Sequence, residues 1–586
     1  MRSLSLAVLW IAISIPSSST AIAQQVNPIP TRAPAHTASG KNGVVVSTSP
    51  LASRVGRDCL QAGGNAVDSA IAVGFALAVT WPEAGNIGGG GFMLIAPPEI
   101  DSRNDVVCID FRETAPHRSH QKTFVGWNNA RHAKMSGTPG SVAGMALAHD
   151  KFGHLPWKEL LAPAIKLASE GFVVDDYLAY SLNSALIDPA IEGPRYEEFR
   201  RVFGHPEGRL WRSGDRLTQP DLAKTLKLIS DRGSDGFYKG EVADKIAAEM
   251  ERGNGLITLS DLQQYRALER TAYHANYLGY DVYGAPPPSS GGMTVGLQLQ
   301  ILEQLKLASV KDIAWTAPQI HLMVESMRRA FRNRAAFLGD PRTTISTDQY
   351  DPAAVRKLTR SIDRNRATRS VDIAGDIPIS TGPYESEQTT HYSVIDREGL
   401  SVSTTTTLEH SFGSWIVVKD AGFLLNNEMG DFNWYPGYTN TEGRIGTQPN
   451  LVGPGKRMLS SMSPTIVAQN GRARLIVGSP GGRTIINTVT EVIVQNLGFE
   501  RSLEEAVEAP RFHHQWLPDE VYFEDDRQLT ERSSEVESMG HKVIQSPGRR
   551  QGSVHAIEID QRTGIATGVS DWRRGGSAEA VWEPNR

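Results

Sequence analysis

Residues 389–409 read TTHYSVIDREGLSVSTTTTLE, two β-branched runs separated by Arg397, Glu398 and Gly399. Runs of this composition joined by a short glycine-containing turn predict a β-hairpin. If Gly399 takes the left-handed position of a three-residue loop, Asp396 pairs with Leu400, and counting back along both strands sets Thr389 opposite Thr407. Side chains alternate faces, so Thr407 and Glu409 are expected on the same side as Thr389. Further strands are predicted at Trp415–Val418, Thr465–Val467 and Arg474–Val477, which makes the chain strand-rich from Thr389 onward.

Upstream the texture is mixed. Helices are predicted at Ala66–Val79, Leu160–Glu170, Leu222–Ile229, Val242–Glu251, Thr294–Leu305 and Ile320–Phe337, and short strands at Val44–Val46, Val106–Phe111 and Tyr280–Tyr283. This is α/β or α+β in character. DIPISTGPYESEQ, Asp376 to Gln388, reads as an exposed linker before the hairpin. At the N-terminus Arg2, an apolar run from Leu4 to Ile15 and the small-residue triplet ending at Ala23 have the layout of a secretory signal peptide, residues 1–23. The run falls well short of the ~20 apolar residues that span a bilayer, and no Cys follows it for lipidation. An exported chain without a membrane span is expected, with a flexible Pro/Thr/Ala-rich leader over residues 24–41.

The 586 residues are 40% hydrophobic and 21% charged, enough to bury a large core, and the net charge of −5 gives no nucleic-acid footprint. The arginine runs at Arg328–Arg334 and Arg360–Arg369 read as solvated helix faces. Cys59 and Cys108 are too few for a disulfide framework or a cysteine zinc cluster, although one bridge between them remains open. There is no HExxH, GxSxG, CxxC or GxxxxGK[ST]. The run Gly88–Gly91 lacks the Lys and hydroxyl of a phosphate loop, and the adjacent His513 and His514 point apart, so both read as structural.

Gly478-Ser-Pro-Gly-Gly482 is more informative, because it follows an apolar strand and opens a helix striped by Ile486, Val489, Ile493 and Leu497. Bare glycine amides at a helix start suit an oxyanion, although taken alone the run reads as a tight turn. Asp110-Phe-Arg-Glu113, Leu424–Phe432 (LLNNEMGDF) and Leu459-Ser-Ser-Met462 add an arginine for a carboxylate, Glu428 and Asp431 for an ammonium, and two hydroxyls. Together these are what an α-amino-acid head group requires.

The ordered set IDFRE, PPPSSGG, EQTTHYS, LLNNEMGDF, RMLSSMSP and GSPGG resembles the γ-glutamyltranspeptidase (glutathione hydrolase) family from about Val44 to the C-terminus. The resemblance implies an α/β, four-layer αββα sandwich of the N-terminal nucleophile hydrolase type, with additional helices. It also implies a proenzyme that cuts itself between Gln388 and Thr389, giving a large chain within residues 42–388 and a small chain of residues 389–586 that remain together as a heterodimer. Thr389 would be the nucleophile, Thr407 the hydroxyl that bonds it, and the amides of Gly481 and Gly482 the oxyanion site. Arg112, Ser460 and Ser461 would hold the substrate α-carboxylate, with Glu428, Asp431 and Glu409 at the ammonium. By the same resemblance Glu409 stands where many relatives have Asn and some have Glu. The implied substrates are glutathione and other γ-glutamyl compounds, with water or an amino acid or peptide as acceptor, and no metal or organic cofactor. The implied location is periplasmic or secreted. Residues 433–459, with Trp434, Tyr435 and Tyr438, are long enough for a lid or a plain surface loop.

Overall fold

The computed structural model describes residues 35–309, 315–343, 345–380, 388–546, 548 and 550–582. The expected signal peptide and the first part of the leader lie outside the described residues, as does most of the Asp376–Gln388 linker. Fourteen strands in two sheets matter here, numbered in chain order: β1 His36–Gly40, β2 Gly43–Ser47, β3 Gly90–Ala96, β4 Val107–Asp110, β5 Leu268–Thr271, β6 Tyr273–Tyr277, β7 Tyr280–Gly284, β8 Gln388–Asp396, β9 Ser401–Glu409, β10 Thr465–Gln469, β11 Arg472–Val477, β12 His555–Asp560, β13 Ile565–Ser570 and β14 Ser577–Ala580. One sheet runs β14-β2-β8-β9-β3-β4-β5 and the other β1-β13-β12-β11-β10-β7-β6, antiparallel throughout.

Period-two alternation explains the layers. In the first sheet Val45, Met93, Ile95, Tyr392 and Val394 face outward into a helical core, whereas Val44, Val46, Phe92, Leu94 and Ile395 face the second sheet. Helix α1, Pro50–Gln61, and helix α2, Ala66–Thr80, cover the outer face. Every residue of α2 is buried, and Asn65 and Asp68 close its first turn as a capping box. Helix α3, Asp176–Leu186, lies further out on the same side. On the second sheet pack α4, Gly291–Gln304, followed by α5, Ala317–Phe337, and α6, Thr484–Ile493. The result is an αββα sandwich.

Three expectations change. The leader was expected to run to Lys41, but His36–Gly40 forms edge strand β1 against β13, because backbone pairing there outweighs weak local β propensity. Trp415–Val418 is not a strand; Phe412 (φ 62°) and Trp415 (φ 60°) are left-handed, and a lone bridge joins Val417 to Leu424. Arg328, Arg329 and Arg334 are buried rather than solvated, and Arg328 and Arg329 clamp the buried Glu325 from the next turn of α5. The Arg360–Arg369 run is mostly exposed, as expected. Cys59 and Cys108 are both free, and burial pushes the Cys59 thiol up to about 12.

Candidate active site

Asp396 N–H donates to Leu400 O at 3.1 Å, and Gly399 has φ 95°, as the three-residue loop requires. The expected register then holds from Ile395–Ser401 to Thr390–Thr406. It breaks at the next residue. Gln388 pairs with Glu409, so a bulge sets the single residue Thr389 against both Thr407 and Leu408. Bulges re-aim side chains next to functional sites. Thr389 is buried, Thr407 Oγ1 accepts the Glu409 N–H at 2.7 Å, and Glu409 turns left-handed at φ 77°.

That turn lays the Glu409 carboxylate on Gly430, where any side chain would collide with it. Gly430 belongs to the 3-10 turn Glu428–Asp431. The turn is clamped from behind, since Asn427 N–H donates to Leu408 O at 3.0 Å and Asn426 Nδ2 donates to Gly88 O and Gly137 O at 2.8 Å each. The Gly88–Gly91 run thus has a packing role: backbone carbonyls of Leu424, Thr407, Phe111 and Thr405 lie where its side chains would be.

Arg112, just beyond β4, is fully buried at the centre of this assembly. Its Nη1 lies 2.6 Å from Glu428 Oε2 and 3.3 Å from Glu113 Oε2, its Nη2 bonds Asp431, and its Nε donates to Met458 O at 3.3 Å. The pair with Glu113 lies in the interior, with both side chains at 0% exposure. The Glu428 contact lies off the N–H axis, and both Glu428 Oε1 and Glu113 Oε1 are buried without a hydrogen-bond partner among the described residues. Asp431 is 16% exposed while Arg112, Glu113 and Glu428 side chains are at 0%, which puts the mouth of the site at Asp431.

Burial raises the Glu428 carboxyl well above its ordinary range, and Arg112 only partly offsets it. Burial likewise lifts Glu113 to about 7 against the pull of Arg112. Because this folded-state value lies above the ordinary 4.5, the folded chain binds more proton than the unfolded one between those values, and stability is lost as pH rises across that window. Glu113→Gln leaves Arg112 its Glu428 and Asp431 partners. It should gain roughly 1–3 kcal/mol over wild type on going from about pH 5 to about pH 8. Apparent Tm at the two pH values checks the sign.

Ser460 and Ser461 follow Met458, whose carbonyl takes the Arg112 Nε–H, and are held in place by PPPSSGG. Ser289 bridges Ser460, and Ser290 Oγ donates to Ser460 O at 2.6 Å. Arg334 then donates to Ser290 Oγ at 2.8 Å and Ser461 Oγ at 2.9 Å. Gly481 and Gly482 have φ 129° and 57°, and their carbonyls accept from Thr484 and Ile485 at the start of α6. The segment 433–459 is packed down: Trp434 stacks on Phe124 at 5.2 Å and donates to Met429 O at 2.8 Å, while Arg444 lies 4.3 Å over Tyr435.

Behind Thr389 runs a polar seam between the sheets that sequence reasoning missed. Thr390 bonds Thr48 at 2.9 Å, Thr48 bonds His555 at 2.8 Å, and His391 bonds Thr405 at 2.9 Å and Ser393 at 3.1 Å. Burial holds both imidazoles neutral, with His555 lowered to about 4. Arg131 was also missed; it donates to Ser411 O at 2.8 Å and feels the Glu409 charge. His513 and His514 bond Asn487 and Asp519, apart from the site. Among the described residues His321, Glu325 and His541 could approach a metal, yet two arginines already hold Glu325 and the imidazoles bond each other at 2.8 Å.

A family model described as gamma-glutamyltranspeptidase matches residues 52–581. The chain is 44% identical over 499 residues to a glutathione hydrolase proenzyme of Escherichia coli (strain K12), covering 83% of this chain and 84% of that protein. It is 39% identical over 532 residues to a glutathione hydrolase proenzyme of Pseudomonas aeruginosa, covering 88% and 91%. Among solved structures it resembles a cephalosporin acylase from Bacillus halodurans with TM-score 0.81 and 25% identity, covering 96% of this chain and 99% of that one.

Proposed function

Since the chain belongs to the γ-glutamyltranspeptidase family, and so is a hydrolase and transferase of γ-glutamyl groups, we propose that it is an exported proenzyme that cuts itself between Gln388 and Thr389 and then works through a γ-glutamyl ester on Thr389. A threonine hydroxyl is a weak nucleophile, and the α-amine freed by the cut is the base beside it. The oxyanion of each tetrahedral intermediate rests on the amides of Gly481 and Gly482. The ester then passes to water or to an amino acid or peptide.

One observation supports the head-group assignment most: Arg112 is buried against Glu428 and Asp431, and Glu428 Oε1 has an acceptor to spare. A zwitterionic amino acid can enter such a pair by exchange, its carboxylate taking Arg112 and its ammonium the two acids, so that no buried charge is left unpaired. Ser460 and Ser461 add hydroxyls, and Glu409 a further acid against the turn. The fold likeness to a cephalosporin acylase favours β-lactam side-chain hydrolysis as a second reading. A denaturing gel and assays with a γ-glutamyl anilide and a cephalosporin test both. Two fragments and anilide turnover support the proposal; one intact chain, or cephalosporin turnover alone, overturns it. Among the described residues no helix is long and apolar enough to cross a membrane. Fractionation of the native host checks export.

Thr407 tests the bulge. Thr407→Val keeps shape and strand propensity but removes the hydroxyl that meets Glu409 N–H. Self-cleavage should slow about tenfold or more, as loss of a hydrogen bond in the reacting geometry implies, with unchanged circular dichroism. Normal cleavage kinetics would remove Thr407 from the mechanism.

A further inference from the structure

A second cleft, of about 450 Å³, opens between helix α3 and the turn that follows β9. The half-buried Tyr177 and Tyr180 contribute open aromatic wall, the almost fully buried Trp81, Phe412 and Trp415 only edges, and four arginines reach it. Three of these are engaged. Arg573 is paired with Glu524 at 2.6 Å and Asp571 at 3.1 Å, Arg550 donates to Arg573 O at 2.9 Å, and Arg131 lies 4.4 Å over the Trp415 ring while serving backbone carbonyls. Arg574 is different. It is half-buried, yet its guanidinium makes no hydrogen bond or ion pair to any described residue.

The acids nearest Arg574 do not complete it. Asp571 is committed to Arg511 at 2.7 Å and to Arg573, and Glu83 accepts the Ser411 hydroxyl at 2.8 Å without reaching Arg574. The Arg574 guanidinium nitrogens stay open to solvent in the cleft, and a guanidinium offers five donors in a planar fork. The acceptor that matches the fork is a carboxylate, bound through two parallel hydrogen bonds. The volume suits an occupant of amino-acid to dipeptide size, and the wall suits a ring. We propose that this cleft binds a small aromatic carboxylate, its carboxylate on Arg574 and its ring against Tyr177 and Tyr180, at a site separate from the Arg112 pocket.

Indole-3-propionate is a suitable probe, because it lacks the α-ammonium that the Glu428–Asp431 side of the other pocket would demand. Titration calorimetry on the full-length protein should show saturable one-to-one binding, roughly millimolar or tighter. Arg574→Gln should weaken that binding by about tenfold or more while γ-glutamyl anilide hydrolysis stays within about twofold. Arg112→Lys should leave probe binding unchanged. No saturable binding by the parent protein overturns the proposal. So does binding that survives Arg574→Gln, or binding that is lost with Arg112→Lys, which would place the probe in the head-group pocket.

Discussion

Thr389→Ala should leave one uncut chain on a denaturing gel and lower γ-glutamyl anilide hydrolysis by ~10⁴-fold or more, the scale on which loss of a nucleophile acts. On the proposed reading one Oγ serves two reactions. In the proposed mechanism it attacks the Gln388 carbonyl before cleavage and the γ-glutamyl carbonyl afterwards. In the uncut chain the Thr389 nitrogen is an amide and cannot act as a base, so activity must follow the cut. Geometry makes the position special, because the ladder is regular up to Thr390–Thr406 and departs from register at Thr389 itself. Thr389→Ser, which keeps an Oγ, should process slowly and regain part of the activity. Appearance of two fragments cut at that bond in the Ala variant would refute the assignment.

Arg112→Lys should still process, since the precursor reaction involves no free α-carboxylate, yet should lose about 30-fold to several-thousand-fold in kcat/KM, mainly through KM. This follows from about 2–5 kcal/mol for spoiling one partner of a desolvated charge pair. Arg112 meets Glu428 and Glu113 through Nη1 and Asp431 through Nη2 of one planar group, whereas Lys offers a single point charge. Steady-state kinetics on the processed variant separate the outcomes. Near-normal kcat/KM would mean that the buried cluster is structural and that the head-group pocket lies elsewhere.

Much of this was legible in the sequence because it is local. Alternation and one glycine set the hairpin register over most of its length, and the helix striped by Ile486 and Val489 begins where GSPGG ends. The bulge was not legible. It depends on Glu409 turning left-handed against Gly430 and on Asn427 holding Leu408, contacts that strand periodicity does not encode. Arg328 and Arg329 were misread as solvated, although Glu325 three and four residues earlier was the available signal for an internal ion pair. Arg131, Arg334, Thr48 and His555 carry no spacing signal, because each joins its partners across long stretches of chain.

The two sheets also determine what a single cut can do. Strands β2, β3, β4 and β5 precede Thr389 and interleave with β8, β9 and β14, while β1, β6 and β7 are shared with β10 to β13 in the same way. Severing the chain before Thr389 removes a covalent link but no layer of the sandwich. The fragments could part only by dismantling both sheets, so dilution should not separate them, and the lifetime of the pair should equal the lifetime of the fold. The reverse journey is a different matter. Once melted, two strangers in solution must find each other where a tether formerly held them close, so the mature molecule is expected to be durable but poorly able to reassemble.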